Sequence, residues 1–158
     1  MATIYLGLGT NLGNKADNLH RAVEEINRTI GKVTSLSSFY KTAPWGFCSD
    51  NTFLNAALRA ETTLAPEEVL ARTQQIERDL GRTHKSAGGI YTDRPIDIDI
   101  LLYDGLCLTT PALTLPHPGM EDRLFVLRPL AEIAPDLIYP VTGLTISELL
   151  RRACQKET

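Results

Sequence analysis

Paired cysteines are missing from this chain. Its three, Cys48, Cys107 and Cys154, are far apart and never form a C-x-x-C, so they read as reduced thiols in a cytoplasmic protein rather than a disulfide frame or a zinc site. No apolar run approaches the roughly 18 residues that a membrane helix needs. The opening Met1-Ala2-Thr3-Ile4-Tyr5-Leu6-Gly7 has neither the basic start nor the long apolar core of a signal peptide. Charge of one sign is scarce too. A net charge of −3 gives no general attraction for nucleic acid or anionic lipid, so any grip on phosphate has to be local. There is no G-x-x-x-x-G-K-S/T phosphate cradle, internal repeat, low-complexity tract or interdomain linker. What is present, 158 residues that are 43% hydrophobic and 22% charged, suits a single domain spanning residues 1–158.

One pattern stands out against that background. In Pro95-Ile96-Asp97-Ile98-Asp99-Ile100-Leu101-Leu102-Tyr103, isoleucine alternates with aspartate at the period of a half-buried strand. Side chains at i and i+2 share a face, roughly 7 Å apart. Asp is depleted in strands because it packs poorly there, so two on one face need a reason. Hard divalent cations want oxygen ligands, and Mg²⁺ is usually held by one or two carboxylates plus substrate phosphates. Just upstream, Arg82 to Arg94 shows no period, contains Gly88-Gly89 and carries Arg82, Lys85 and Arg94. A long cationic loop beside two carboxylates suits a metal-bound polyphosphate, with arginine forks on the phosphate oxygens.

The remaining periodicity gives an order of elements. Ile4 to Gly9 reads as a strand, Asn14 to Ile30 as a helix stopped by Gly31, and Lys32 to Lys41 as β-rich. Thr42 to Phe47 is a loop with two large aromatics. Thr52 to Glu61 alternates again, and Pro66 opens a helix running to about Leu80. Asp104-Gly105 signals a hairpin, and Thr145-Ile146-Ser147-Glu148 is a capping box opening a last helix. The order predicts an α+β, ferredoxin-like β-α-β-β-α-β plait with a C-terminal hairpin and helical extension. The alternation sends Leu54, Ala56, Leu58, Ile96, Ile98 and Ile100 to the helix-covered face. Phe53, Asn55, Asp97 and Asp99 go together to the uncovered face, as a substrate floor.

Other motifs carry less. Gly7-Leu8-Gly9-Thr10-Asn11-Leu12-Gly13 lies where a dinucleotide fingerprint would, but its spacing is G-x-G-x-x-x-G. A tight strand-to-helix turn is the better reading. Gln74 and Glu77 share a face of the second helix. His117, with a proline on either side, sits on a stiff segment that suits a positioned phosphate donor.

Taken together, Gly9-Thr10-Asn11-Leu12, Ser37-Ser38-Phe39-Tyr40-Lys41-Thr42, Phe53-Leu54-Asn55-Ala56, Gln74-Gln75-Ile76-Glu77, Gly81-Arg82, Arg94 to Ile100, Leu115-Pro116-His117-Pro118 and Arg123-Leu124-Phe125 closely resemble the 6-hydroxymethyl-7,8-dihydropterin pyrophosphokinases of folate biosynthesis. The resemblance covers nearly the whole chain and implies transfer of pyrophosphate from ATP to the pterin, releasing AMP. It implies that Asp97 and Asp99 bind two Mg²⁺ and act in catalysis with Arg82 and Arg94. Phe53 and Phe125 then sandwich the pterin, while Asn55, Thr42, Pro44 and Trp45 read its polar edge. Gln74, Glu77, Arg82, Arg94, Ile100, Leu113, Thr114, His117 and Arg123 become the ATP contacts. Departures from the family pattern are His84 in place of a lid arginine, Tyr91 where a tryptophan is expected, and Pro118 after the histidine. The expected partners are the two small substrates alone, with the protein a monomer. The competing class is a non-catalytic ferredoxin-like module that binds a nucleotide or metabolite.

Overall fold

The computed structural model describes residues 1–42, 52–81 and 96–156. A sheet ordered β2-β4-β1-β5 is made by β1 (Ala2–Thr10), β2 (Lys32–Leu36), β4 (Phe53–Thr62) and β5 (Asp97–Tyr103), with β3 (Tyr40–Thr42) also paired to β4. Every pairing in it is antiparallel. Helices α1 (Lys15–Thr29) and α2 (Pro66–Gly81) make the two crossovers, so the expected plait is the one formed. A two-stranded hairpin, β6 (Leu108–Thr109) with β7 (Thr114–Leu115), follows, then α3 (Leu124–Ile133) and α4 (Ile146–Lys156).

Local chemistry sets the boundaries. Asn14 caps α1 by accepting from the Asp17 N–H at 3.1 Å. Gly31 follows the end of that helix, where a side chain would run into the Glu61 carbonyl. Thr145 and Glu148 cap α4 reciprocally: the Thr145 N–H donates to Glu148 Oε1 at 2.9 Å and the Glu148 N–H to Thr145 Oγ1 at 3.1 Å.

On one sheet face Leu6, Leu8, Ala56, Leu58, Ile98 and Ile100 pack against Leu19, Ala22 and Ile26 of α1 and Val69 and Ile76 of α2. That is the partition the alternation predicts. The other face is not bare, as the sequence suggests. Val126, Leu127 and Leu130 of α3, with Ile146, Leu149 and Ala153 of α4, cover it over Tyr5, Ala57, Leu101 and Leu102. The end carrying Phe53, Asn55, Asp97 and Asp99 lies beyond that second core. The switch comes from a bulge. Tyr5 pairs with Leu102 but Leu6 with Ile100, so Leu101 is an extra residue, and both leucines join the second core.

Three further expectations change. The β-rich run to Lys41 breaks into β2 and β3 around Ser37 to Phe39. Asp104-Gly105 does make a turn, with Asp104 at φ 49° and the Leu106 N–H on the Tyr103 carbonyl at 3.0 Å. The hairpin itself, however, closes around Thr110 to Leu113, between β6 and β7, while β5 pairs with β1. Gly7 and Gly9 lie inside β1 rather than in a turn; of the three glycines in that motif, Gly13, at φ 66°, is the one in the turn.

Candidate active site

The site starts at the β5 edge of the sheet. Asp97 pairs with Gly9 and Asp99 with Gly7 on β1, so each aspartate stands opposite a residue with no side chain. The outer edge of β5 needs an acceptor for its N–H groups, and α2 supplies one. Glu77 Oε2 accepts the Ile98 N–H at 2.7 Å, a carboxylate standing in for a neighbouring strand. Glu77 is thereby drawn into a half-buried place beside two other acids. Burial, reinforced by the charges of Asp97 and Asp99 and opposed by the Ile98 N–H, pushes its pKa up to about 7. Three carboxylates crowd one strand end.

His117 approaches from the other side. The peptide before Pro116 is cis, and the His117 N–H donates to the Leu101 carbonyl at 3.0 Å, which ties the segment to β5. Its Nε2 lies 3.7 Å from Asp99 Oδ1, and its Nδ1 lies 3.1 Å from the Pro118 carbonyl oxygen. The interaction with Asp99 holds the imidazole pKa above its ordinary value, against burial, which lowers it. Behind this pair lies a cavity of about 240 Å³ between Leu70 of α2, Ile98 to Ile100 of β5, and the β6–β7 turn with His117 and Pro118. Its walls mix aliphatic side chains with the polar Thr110 and Thr114, and Asp99 sits at its rim.

The floor lies across the sheet. Asn55 is buried, and its Nδ2 donates to Thr42 Oγ1 at 2.6 Å, which orients the amide. A Cβ on Gly9 would stand 3.0 Å from Asn55 Oδ1 and 3.9 Å from Phe53 Cδ1. Glycine in β1 therefore keeps the floor flat where Asn55 and Phe53 meet. Phe125 sits in the first turn of α3, with the Arg123 guanidinium carbon 6.0 Å from its ring centroid. Arg123 in turn lies over Gly119, whose positive φ of 77° turns the chain into the short helix Met120–Asp122.

The family model of 7,8-dihydro-6-hydroxymethylpterin-pyrophosphokinase matches residues 5–135. The chain belongs to this family. A pyrophosphokinase of Porphyromonas gingivalis is 50% identical over 136 residues, covering 85% of this chain and 92% of that one. Its counterpart in Methylorubrum extorquens is 44% identical over 153 residues, or 96% and 94% of the two chains. Among solved structures, a Plasmodium falciparum HPPK-DHPS superposes with a TM-score of 0.79 at 16% identity, over 98% of this chain and 44% of that one. At that identity the likeness shows the fold alone.

Of the pyrophosphokinase positions expected from sequence, the fold brings Asp97, Asp99, Glu77 and His117 to one strand end. Ile100, Leu113 and Thr114 line the cavity. Gln74 is exposed on the α2 face between Leu70 and Glu77, outside the lining. Pro44, Trp45, Arg82 and Arg94 lie outside the described residues, as do His84, Tyr91 and Cys48. Leu70, Ile98 and Thr110 line the cavity without having been expected there. Leu70 stands at i−4 from Gln74 and i−7 from Glu77, so the helical period contained that signal. Among the described residues no group of three or more His, Cys, Asp or Glu is placed to hold a metal by itself. Two adjacent aspartates with substrate phosphates suit Mg²⁺, which usually keeps few protein ligands.

Proposed function

We propose that the acidic rim, the cavity and the Phe53–Asn55 floor are parts of one pyrophosphoryl-transfer site in a single domain spanning residues 1–158. The chain is an ATP-dependent pyrophosphokinase of folate biosynthesis, transferring pyrophosphate from ATP to 6-hydroxymethyl-7,8-dihydropterin. Asp99 is the observation that supports the placement. It shares its strand face with Asp97 toward the floor, and it also lines the cavity beside His117. A group bridging two substrates belongs at such a junction.

In this reading the aliphatic walls of the cavity take the adenosine, with Gln74, Ile100, Leu113 and Thr114 among its contacts and Glu77 orienting β5. His117 donates to a phosphate oxygen, joined by Arg82, Arg94 and Arg123. Phe53 and Phe125 stack on the two faces of the pterin, and Asn55, Thr42 and the backbone of Pro44 and Trp45 read its polar edge. The hydroxymethyl oxygen attacks the β-phosphorus of ATP. A new O–P bond forms, the bond to the α–β bridging oxygen breaks, AMP leaves with that oxygen, and the hydroxyl proton passes to solvent. Asp97 and Asp99 would hold two Mg²⁺, which when bound neutralise phosphate charge and align the reacting oxygens.

The protein acts as a monomer in the cytoplasm, with no nucleic-acid or membrane partner. Among the described residues no helix is long and apolar enough to cross a membrane. The test is product analysis with ATP and 6-hydroxymethyl-7,8-dihydropterin. The expected result is Mg²⁺-dependent formation of AMP and pterin diphosphate in equal amounts. AMP formed at the same rate without the pterin, or turnover undiminished in chelator, would overturn the site as drawn.

A further inference from the structure

One carboxylate outside the site described above joins α3 to the strand that faces Asn55. Glu132, in the last turn of α3, accepts the Ser38 N–H through both oxygens, at 3.0 and 3.1 Å. It also accepts the Ser38 hydroxyl at 3.0 Å and the Tyr40 hydroxyl at 2.6 Å. Hydrogen bonds to an ionised carboxylate are among the stronger ones available to a side chain. The titration shifts agree: bonding to Tyr40 holds Glu132 below the ordinary carboxylate value, and bonding to Glu132 raises the Tyr40 hydroxyl above its own.

The two ends of this link both lead to the floor. Tyr40 opens β3, where it pairs with Asn55, and Thr42, which pairs with Phe53, closes it. Phe125 lies seven residues before Glu132 on the same side of α3, since seven residues are nearly two full turns. The helix does not need Glu132 in order to stay on the sheet. Val126, Leu127 and Leu130 are already buried there. β3, by contrast, is three residues long and has few ladder bonds of its own. Beyond its pairing with β4 and the Asn55–Thr42 bond, β3 is also held from α3 through Glu132.

We infer that Glu132 is a positioning residue for the pterin. It ties the start of β3, whose Thr42 pairs with Phe53, to the helix that carries Phe125, and so steadies the slot between the two rings. This rests on the pterin assignment proposed above. Removing the carboxylate leaves both walls intact but free to shift, so ring stacking weakens while the ATP cavity, built on α2, β5 and the hairpin, does not change.

Pterin affinity is measured by titration in the presence of a non-hydrolysable ATP analogue, alongside steady-state kinetics and melting curves, for Glu132→Ala, Glu132→Gln, Tyr40→Phe and Phe53→Ala. Glu132→Ala, which removes the acceptor for all three donors, is expected to raise the pterin Kd and KM about tenfold, with the ATP KM within about twofold of wild type. Glu132→Gln and Tyr40→Phe, which keep the packing, should give smaller rises in the same direction and carry the test if the alanine variant folds poorly. The double variant Glu132→Ala/Tyr40→Phe should be no worse than Glu132→Ala. If Phe53→Ala weakens pterin binding but the Glu132 variants only lower the melting temperature, or raise both KM values alike, Glu132 is a brace and the inference is overturned. If Phe53→Ala leaves pterin affinity unchanged, the floor assignment falls and takes this inference with it.

Discussion

The two faces of the sheet are cut from the same strands, yet they are solved differently. Under α1 and α2 the three longer strands β1, β4 and β5 contribute aliphatic side chains at period 2, from Leu6 and Leu8 across Ala56 and Leu58 to Ile98 and Ile100. On the opposite face the apolar pattern holds only as far as Ala57 and Leu101, where α3 and α4 cover it. Beyond that it gives way to Gly7, Gly9, Asn55, Asp97 and Asp99. A strand can serve both faces because successive side chains point oppositely, so an acid added on one side takes nothing from the core on the other. The acidic end is anchored by the dry face beneath it, with Glu77 and His117 adding polar contacts at the strand end.

Breaking the polar end should therefore hit turnover without hitting stability. Asp97→Ala is expected to lower kcat by about a thousandfold or more, measured as AMP release, while the melting temperature stays the same or rises slightly as carboxylate repulsion falls. A smaller effect probes the flatness of the floor. Gly9→Ala puts a methyl 3.0 Å from Asn55 Oδ1, so the amide must move off Thr42 or the strand must shift. The pterin KM should rise about tenfold, roughly 1.4 kcal/mol, with the ATP KM little changed.

Glu77 sharpens the comparison because it belongs to both faces, rising from the α2 layer to the acidic edge. With its folded pKa raised to about 7 from 4.5, it opposes folding wherever the unfolded chain ionises first. Below pH 4.5 the group is protonated in both states and the native contact is fully present. As the pH rises to 7 that contribution is lost. Chelator-treated Glu77→Gln keeps an oxygen for the Ile98 N–H, so its stability relative to wild type should grow between pH 4.5 and 7 and level off above. About 1–2 kcal/mol is expected in urea unfolding, after discounting for the water that still reaches the group. Smallest of all, Thr145→Ala removes a cap far from the acids and should cost about 1 kcal/mol with kcat unchanged.

Much of this was legible in the chain. The period-2 runs gave the strands and their faces, Pro66 and the Thr145–Glu148 box gave helix starts, and the alternating aspartates marked the strand end where the structure gathers Glu77 and His117. Other features have no period to read. Helix α3 is mostly apolar and carries Pro129 in its interior, which cannot donate within the helix and reads in the sequence as a break. The Leu101 bulge inserts one residue into an otherwise regular strand, and nothing in Leu101-Leu102 marks which of the two is extra. Gly7 and Gly9 resembled a phosphate turn because sequence alone does not show that Asn55 needs the space. The approach of His117 to Asp99, and of Glu77 to Ile98, are contacts between distant segments that only the closed plait creates.

The division of labour between the two faces is tested most directly by crossing one change on each. Leu58→Ala empties a fully buried place in the dry core, and Asp99→Asn removes the charge at the junction of cavity and floor. Unfolding free energy and kcat per folded molecule are measured for both single variants and the double. Leu58→Ala should lose about 2–5 kcal/mol of stability and keep its kcat, Asp99→Asn should lose kcat by at least about a hundredfold and keep its stability, and the double should show the simple sum. A Leu58→Ala protein that is folded but catalytically impaired as severely as Asp99→Asn, or an Asp99→Asn protein that turns over normally, would contradict the account.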